Sequence, residues 1–428
     1  MASTRDNEIL TQVGPGAPMG ELMRRYWLPA ALSSELTADG DPMRLMLLGE
    51  QLIAFRDTNG RVGVMDHRCP HRCASLFFGR NEEGGIRCVY HGWKFDADGN
   101  CTDMANVPPH QDFKHKVHAK AYKTAERNGV IWVYMGDQAK MPDGIPGLPE
   151  IEALMLPADA MEFNFSQREC NWLQALEGDI DTSHTDFLHG GARTERAFAA
   201  DDPRRYGALN RSPEYEIVET DWGVMYGAYR PGGPNQIYWR VAHFLYPFWT
   251  ITPSGKFGNH YYARAWVPMD DTHTMAMRVL IKSGRPVSTG AVQNLDQVQP
   301  RTTDWYGRWK PMTTAQNDYL IDRQWQRNGS YSGLPGIAPE DQAVTESMGA
   351  ITDREFEHLA PSDRMITMTR RRLFAAATGL AKGETPPANS GTVYAGARGG
   401  YFLASDALKL RAAYDAQMAE DPEQKKSA

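Results

Sequence analysis

No apolar run in this 428-residue chain approaches the eighteen or more residues that a membrane span needs. The N-terminus, Met1-Ala-Ser-Thr-Arg-Asp-Asn-Glu8, also lacks the apolar stretch of a secretory signal, so a cytoplasmic protein is expected. Positive charge is in the minority, with 46 Lys and Arg against 53 Asp and Glu. No basic stripe gathers it, which argues against nucleic acid as a main partner. Cysteine is scarce: five residues, an odd number, do not make the disulfide framework of a secreted protein. A nucleotide-binding fingerprint is missing as well. Gly14-Pro-Gly-Ala-Pro-Met-Gly20 is glycine-rich, but no strand precedes it and two prolines interrupt it, so it reads as a turn before a helix.

What remains is the composition of a globular protein, 41% hydrophobic and 23% charged. At this length two domains are the natural division. From about Arg44 to Met135, short strand-like runs alternate with turn signals: Leu45–Leu48, Gln51–Phe55, Arg61–Met65 and Gly129–Tyr134, with Asp57-Thr-Asn-Gly60 and Asp96-Ala-Asp-Gly99 as hairpin turns. This predicts a small antiparallel β domain, led into by an amphipathic helix over Pro18–Trp27. The breaker-rich Met141–Pro149 segment marks the boundary, giving domains 1–150, with a core at about 40–140, and 151–428. The second domain reads as a helix over Leu173–Leu188, then strands at Tyr215–Val218, Val224–Tyr229, Ile237–Pro253, His260–Val267 and Thr274–Ile281. Helical periodicity follows from about Thr314, through Ile321–Gln326, Gln342–Leu359 and Ser405–Ala419, with a disordered tail at Glu420–Ala428. The layout is α+β.

The most informative residues are Cys69-Pro-His71 and, sixteen residues on, Cys88-Val-Tyr-His91. Structural zinc sites usually pair Cys with Cys and His with His, whereas each loop here supplies one of each. The pattern fits a Rieske [2Fe–2S] centre, in which two Cys hold one iron and two His the other, with structural zinc as the alternative. Cys73, Cys101 and Cys170 remain, the first two read as buried free thiols near the cluster, and Trp93 and Tyr90 are expected to pack around it. With no flavin or nicotinamide site in the chain, electrons must come from a separate protein.

A second constellation lies in Glu177-Gly-Asp179-Ile-Asp181-Thr-Ser-His184-Thr-Asp-Phe-Leu-His189. Two His and a carboxylate form the facial triad of non-haem iron(II) oxygenases. Residues five apart lie about 140° apart on an α-helix, so the helix must widen into a π-type turn or break for both to reach one metal. Surface histidines in an acidic context are the alternative.

Together, Arg68-Cys-Pro-His-Arg-Cys73, Arg87-Cys-Val-Tyr-His-Gly-Trp-Lys-Phe-Asp96 and Leu176-Glu-Gly-Asp-Ile-Asp181 with its two histidines resemble the Rieske non-haem iron aromatic-ring oxygenases, specifically the oxygenase component of the phthalate dioxygenase type. The resemblance runs from Asp6 to about residue 375. It implies an N-terminal Rieske [2Fe–2S] domain and a C-terminal helix-grip, START-like catalytic domain. It implies that Cys69 and Cys88 hold one cluster iron and His71 and His91 the other, and that His184, His189 and an Asp bind Fe(II). Spacing leaves Asp318, Asp322, Asp341 and Asp353 open; the run Pro339–Gly349 matches the family's carboxylate segment and selects Asp341, with Asp322 second. Asp181 matches a bridging Asp that links a cluster His of one subunit to an iron His of the next. Glu177 stands where many relatives have Asn. Arg211 and Arg240 lie in segments resembling those that bear carboxylate-binding arginines, and Tyr238–Trp249 supplies aromatics for a pocket wall. The activity implied is hydroxylation of a phthalate- or benzoate-like acid with O2, most readily ring dihydroxylation, with electrons from a flavin or ferredoxin-type reductase, in a homotrimer or stacked hexamer. Oxidative O-demethylation is the alternative, and a pure electron carrier a remote one.

Overall fold

Ser3 opens the chain's first helix, α1 (Thr4–Thr11), through a reciprocal capping box with Asp6. The computed structural model describes residues 3–137, 144–157, 161–191, 193–258, 262–281, 298–388 and 390–420. Residues 141–143 of the expected boundary, 260–261 of one expected strand, and the tail from 421 onward lie outside these. Pro18 occupies the first turn of α2 (Pro18–Met23), which is shorter than its periodicity suggests. Trp27 begins a strand instead, β1 (Trp27–Leu32), because its row of buried residues pairs with a later strand.

β2 (Met43–Leu47), β3 (Glu50–Arg56) and β4 (Val62–Asp66) follow as a meander. The turn between β3 and β4 is fixed by Asp57, whose carboxylate accepts from the amides of Asn59 at 2.9 Å and Arg61 at 2.8 Å. The chain then leaves this sheet to build a second, four-stranded one from β5 (Arg80–Glu82), β6 (Gly85–Arg87), β7 (Trp93–Phe95) and β8 (Cys101–Met104). Asp96 repeats the same device between β7 and β8, accepting from the amides of Asp98 and Asn100. β9 (Ala121–Arg127) and β10 (Val130–Tyr134) return to the first sheet, completing the order β1-β10-β9-β4-β3-β2. The small sheet is thus an insertion between β4 and β9.

The large sheet is antiparallel and comprises β11 (Met161–Arg168), β12 (Glu214–Thr220), β13 (Gly223–Pro231), β14 (Gln236–Leu245), β15 (Trp249–Ile251), β16 (Ala263–Pro268), β17 (Thr274–Ile281) and β18 (Gly400–Ser405). On β14, alternation sends Trp239 and Val241 to one face and Ala242 and Phe244 to the other. Arg240 shares the parity of Ala242 and Phe244. The helices are α3 (Trp172–Ile180), α4 (Arg205–Leu209), α5 (Arg323–Asn328), α6 (Ile337–Ser347), α7 (Arg364–Leu380) and α8 (Leu410–Glu420). The arrangement is α+β. A single core runs from α1 and α2 through the first sheet into the large one, where Trp132 stacks on Trp249 with ring centroids 6.1 Å apart.

Four devices hold α3 in place. The Asn171 side chain accepts from the Leu173 amide and donates to the carbonyls of Thr11 and Asp271, capping the helix and tying it to two distant segments. Gln174 donates to the carbonyls of Thr345 and Gly349 and accepts from the Thr352 amide, clamping α3 to the C-terminal end of α6. At Gly178 the two helices approach so closely that a Cβ would sit 3.0 Å from Thr345 Cγ2. Glu177 completes the anchoring and does not face the site: Arg354 donates to it at 3.0 Å and Arg370 at 2.5 Å, all three side chains being largely buried. Burial pushes the Glu177 carboxyl up, but the two guanidinium groups outweigh it and hold the net value below the usual range. Removing one member of such a set strands a buried charge. Arg354→Ala is expected to lower unfolding free energy by about 3–5 kcal/mol, measured by denaturant titration.

Candidate functional site

The two Cys/His loops have the same closure. In the first, the Cys73 amide donates to the Cys69 carbonyl at 2.9 Å; in the second, the Gly92 amide donates to the Cys88 carbonyl at 2.8 Å. Each closes at a residue with positive φ, +60° at Cys73 and +78° at Gly92. Cys69 and Cys88 are buried in the small core that the inserted sheet makes with Ile53, Phe55 and Met65. Burial pushes the Cys69 thiol up to about 12, the adjacent Cys88 adding to it. The His71 ring stacks on Trp93 at 4.4 Å and meets the His91 ring edge-on at the same distance. His91 Nδ1 is buried with no hydrogen-bond partner. Two shielded sulfurs and an orphaned imidazole nitrogen fit the donor set of a mixed thiolate and imidazole cluster. Cys101 is buried as expected, but Cys73 is exposed, because the left-handed turn that closes the loop puts it at the tip.

The second constellation depends on a helix that stops. Apolar periodicity suggests one helix through Leu188, yet α3 ends at Ile180. Asp181 is extended and its Oδ1 accepts from both the Ser183 amide and hydroxyl, an alternative to continuing the helix. His184 lies in a separate 3₁₀ turn, so the chain breaks rather than widens. The break brings His184 Nε2 and His189 Nε2 within 3.1 Å of each other. Asp341 Oδ1, from α6, lies 3.0 Å from His189 Nε2 and 3.5 Å from His184 Nε2. Ligands at right angles, about 2.1 Å from a metal, are themselves about 3.0 Å apart, so this triangle fits one face of an octahedron. The other ring nitrogens face carboxylates: Asp181 Oδ2 at 3.5 Å from His184 Nδ1, and Glu340 Oε2 at 2.6 Å from His189 Nδ1. With the protons on Nδ1, facing these carboxylates, the Nε2 lone pairs would converge with the Asp341 oxygen, an arrangement that a bound cation stabilises. Burial disfavours a charged His184, but hydrogen bonds to Asp181 and Asp341 outweigh it and raise the group to about 10. Burial likewise pushes Asp341 up, and its two histidine neighbours more than reverse this. His184, His189 and Asp341 could hold a metal ion. The other aspartates are elsewhere: Asp322 caps α5, Asp318 sits in a left-handed turn and Asp353 bonds the Glu355 amide.

A cavity of about 380 Å³ opens beside the triad, with Arg211, Tyr238 and Arg240 among its lining residues. Arg240 Nη1 donates to Thr185 Oγ1 at 2.8 Å; its nearest carboxylate, Asp186 at 4.0 Å, is already paired with Arg230. Among the described residues, Arg211 bonds the carbonyls of Gly191 and Arg193.

Residues 26–122 match the family described as the Rieske [2Fe-2S] domain, and residues 133–394 that described as LigXa C-terminal domain like. The chain is 46% identical to the 3-chlorobenzoate-3,4-dioxygenase oxygenase subunit of Comamonas testosteroni, over 97% of this chain and 98% of the relative.

The chain belongs to the Rieske non-haem iron oxygenases.

Within them this oxygenase is of the phthalate dioxygenase type: it is 35% identical to the phthalate 4,5-dioxygenase oxygenase subunit of Pseudomonas putida, over 90% of this chain and 88% of that one. Its fold is shared with dicamba monooxygenase bound to dicamba, with TM-score 0.56, 19% identity, and coverage of 85% of this chain and 99% of the other. Its cofactors are a Rieske [2Fe–2S] cluster and a mononuclear iron, and both donor sets described above fit them. Among the described residues no helix is long and apolar enough to cross a membrane.

Sequence reasoning assigned no role to Glu340, although it adjoins Asp341. A carboxylate before a ligand carries no spacing signal, and only burial against His189 distinguishes it. Asp186, shared between Arg230 and the cavity, was equally invisible. The second cluster loop offers a direct check. At Gly92 a Cβ would meet that of Ala105 at 2.9 Å in a backbone conformation that L-residues avoid at a cost of about 1–2 kcal/mol. Gly92→Ala is expected to lower cluster content per chain, read from visible absorption.

Proposed function

We propose that this oxygenase hydroxylates an aromatic carboxylic acid of the phthalate or benzoate class, most readily by ring dihydroxylation, with O2 and electrons from a separate flavin or ferredoxin-type reductase. The observation that carries the substrate class is the pair of arginines in the cavity. Neither Arg211 nor Arg240 has a carboxylate of its own at bonding distance among the described residues. Both are available to an anionic ring substituent, which guanidinium groups bind in bidentate fashion. A volume of about 380 Å³ suits a single substituted ring.

In this reading Cys69, Cys88, His71 and His91 hold the cluster, and His184, His189 and Asp341 hold the iron. The cluster supplies electrons singly, and the iron supplies open coordination positions for O2 activation. The chain's own residues do the rest. Asp181 keeps the His184 proton on Nδ1. Arg240, held by Thr185 on the inward parity of β14, turns the ring toward the triad, and Arg211 steadies the outer end.

Electron supply to each iron comes from the neighbouring subunit of a homotrimer, alone or stacked as a hexamer. The support is the run of exposed apolar side chains within and flanking α6 in the sequence, including Tyr331 at 52%, Ile337 at 51% and Phe356 at 81% exposure, which contact with another chain would cover. Asp181, with 22% of its side chain exposed, is read as the residue that meets a partner's cluster histidine, and its exposure is compatible with that role. The domain division near residue 150 and a cytoplasmic location belong to the same reading.

The test is turnover of the reconstituted system on phthalates, halobenzoates, phenoxybenzoates and methoxylated aromatic acids, with products and formaldehyde measured. Dihydrodiol formed from an unmethoxylated acid is expected. Formaldehyde released from methoxylated acids alone would make the protein an O-demethylase, and indifference to the carboxylate would sink the substrate class. Arg240→Ala should raise KM about tenfold to a hundredfold, on the scale of a lost charge-assisted hydrogen bond of about 1.5–3 kcal/mol. An unchanged KM would remove Arg240 from the site.

A further inference from the structure

The two histidines of the iron triad are supported unequally. The partner of His184, Asp181, approaches only to 3.5 Å, gives its other oxygen to Ser183, and keeps 22% of its side chain exposed. The partner of His189, Glu340, approaches to 2.6 Å, and both of these side chains are only 9% exposed. The Glu340 carboxylate is itself pinned. Its Oε1 accepts from the Ser332 hydroxyl, whose oxygen in turn accepts from the Leu334 amide at 3.1 Å. Glu340 also lies in the first turn of α6, where the backbone favours negative charge, and directly precedes Asp341. One helical turn therefore delivers a candidate ligand and the group that orients another.

We propose that Glu340, braced by Ser332, is the positioning residue that fixes His189 as the rigid anchor of the mononuclear iron, while Asp181 leaves His184 as the adjustable ligand. The inference rests on the triad reading of His184, His189 and Asp341. Its physical basis is tautomer control. A carboxylate accepting from His189 Nδ1–H keeps the proton off Nε2, the atom that faces the metal, and holds the ring plane. Without an acceptor, the proton can occupy Nε2 and block it. Glutamine at 340 could still accept through its amide oxygen, but without the charge that strengthens the bond. It would also turn an N–H toward Ser332.

The experiment measures Fe(II) affinity of the full-length, cluster-loaded protein by chelator competition, with cluster absorption and thermal midpoint recorded for each variant. Glu340→Gln should weaken Fe(II) binding about 10–100-fold with cluster absorption unchanged. Ser332→Ala, which leaves the carboxylate in place, should weaken it in the same direction but less. Asp181→Asn should retain wild-type Fe(II) affinity while separating cluster oxidation from product formation. A merely structural Glu340 would shift the thermal midpoint and leave the affinity alone, which overturns the proposal. So does equal weakening by Glu340→Gln and Asp181→Asn. If Glu340→Gln does not fold, Ser332→Ala decides: wild-type affinity in that variant counts against the brace. Asp341→Ala separates the two levels. Retention of Fe(II) there would defeat the triad reading itself, whereas loss there with normal affinity in Glu340→Gln defeats only the inference.

Discussion

Three lone-pair-bearing atoms, the Nε2 atoms of His184 and His189 and one oxygen of Asp341, are held 3.0 to 3.5 Å apart. A metal ion between them, or in its place a histidine proton shared with Asp341, makes that approach favourable, and the surrounding fold holds the three side chains at this spacing. Much of the chain around α3, α6 and α7 can be understood as this restraint. Asn171, Gln174, Gly178 and the Glu177 ion set seat α3 against α6 and α7, so the loop after α3 and the first turns of α6 meet at a fixed spacing. The large sheet presents Arg240 to the cavity that the triad also lines, where it bonds Thr185 beside His184.

Legibility from sequence followed the range of the interactions involved. The Cys/His loops could be read because their chemistry and their turn closures are local. The Asp57 and Asp96 hairpins were readable for the same reason. The helix drawn through Leu188 failed at Asp181. Leu176, Ile180, Phe187 and Leu188 continue an apolar pattern, but a carboxylate bonded to Ser183 outcompetes the next helical turn. Trp27 was misplaced in the opposite sense, since its pairing partner, Tyr134, lies more than a hundred residues away. α7, the longest helix, escaped notice because Arg370, Arg371 and Arg372 interrupt its pattern. Arg370 earns its buried position from Glu177 and Glu357 rather than from hydrophobicity.

The triad itself was half visible. Its two histidines are close in sequence, whereas Asp341 was separated from its rivals only by resemblance. Asp322 is committed to capping α5 and Asp318 sits in a left-handed turn, whereas what selects Asp341 is non-local, its approach to two histidines far earlier in the chain. Glu177, which stands where many relatives have Asn and resembles the phthalate group in doing so, is paired with Arg354 and Arg370 rather than with the triad. Identity at a motif position and location at a site are separate properties.

The inserted cluster sheet has a further implication. It leaves the host sheet after β4 and returns at β9, and it buries its sulfurs in a small core separate from the one that joins the two larger sheets. The host strands on either side remain hydrogen-bonded to each other through Val64 and Met65. The insertion behaves as a cartridge clipped to a closed seam. Its local opening need not propagate, and substitutions that tune the cluster's potential act on a unit whose packing the catalytic half does not share.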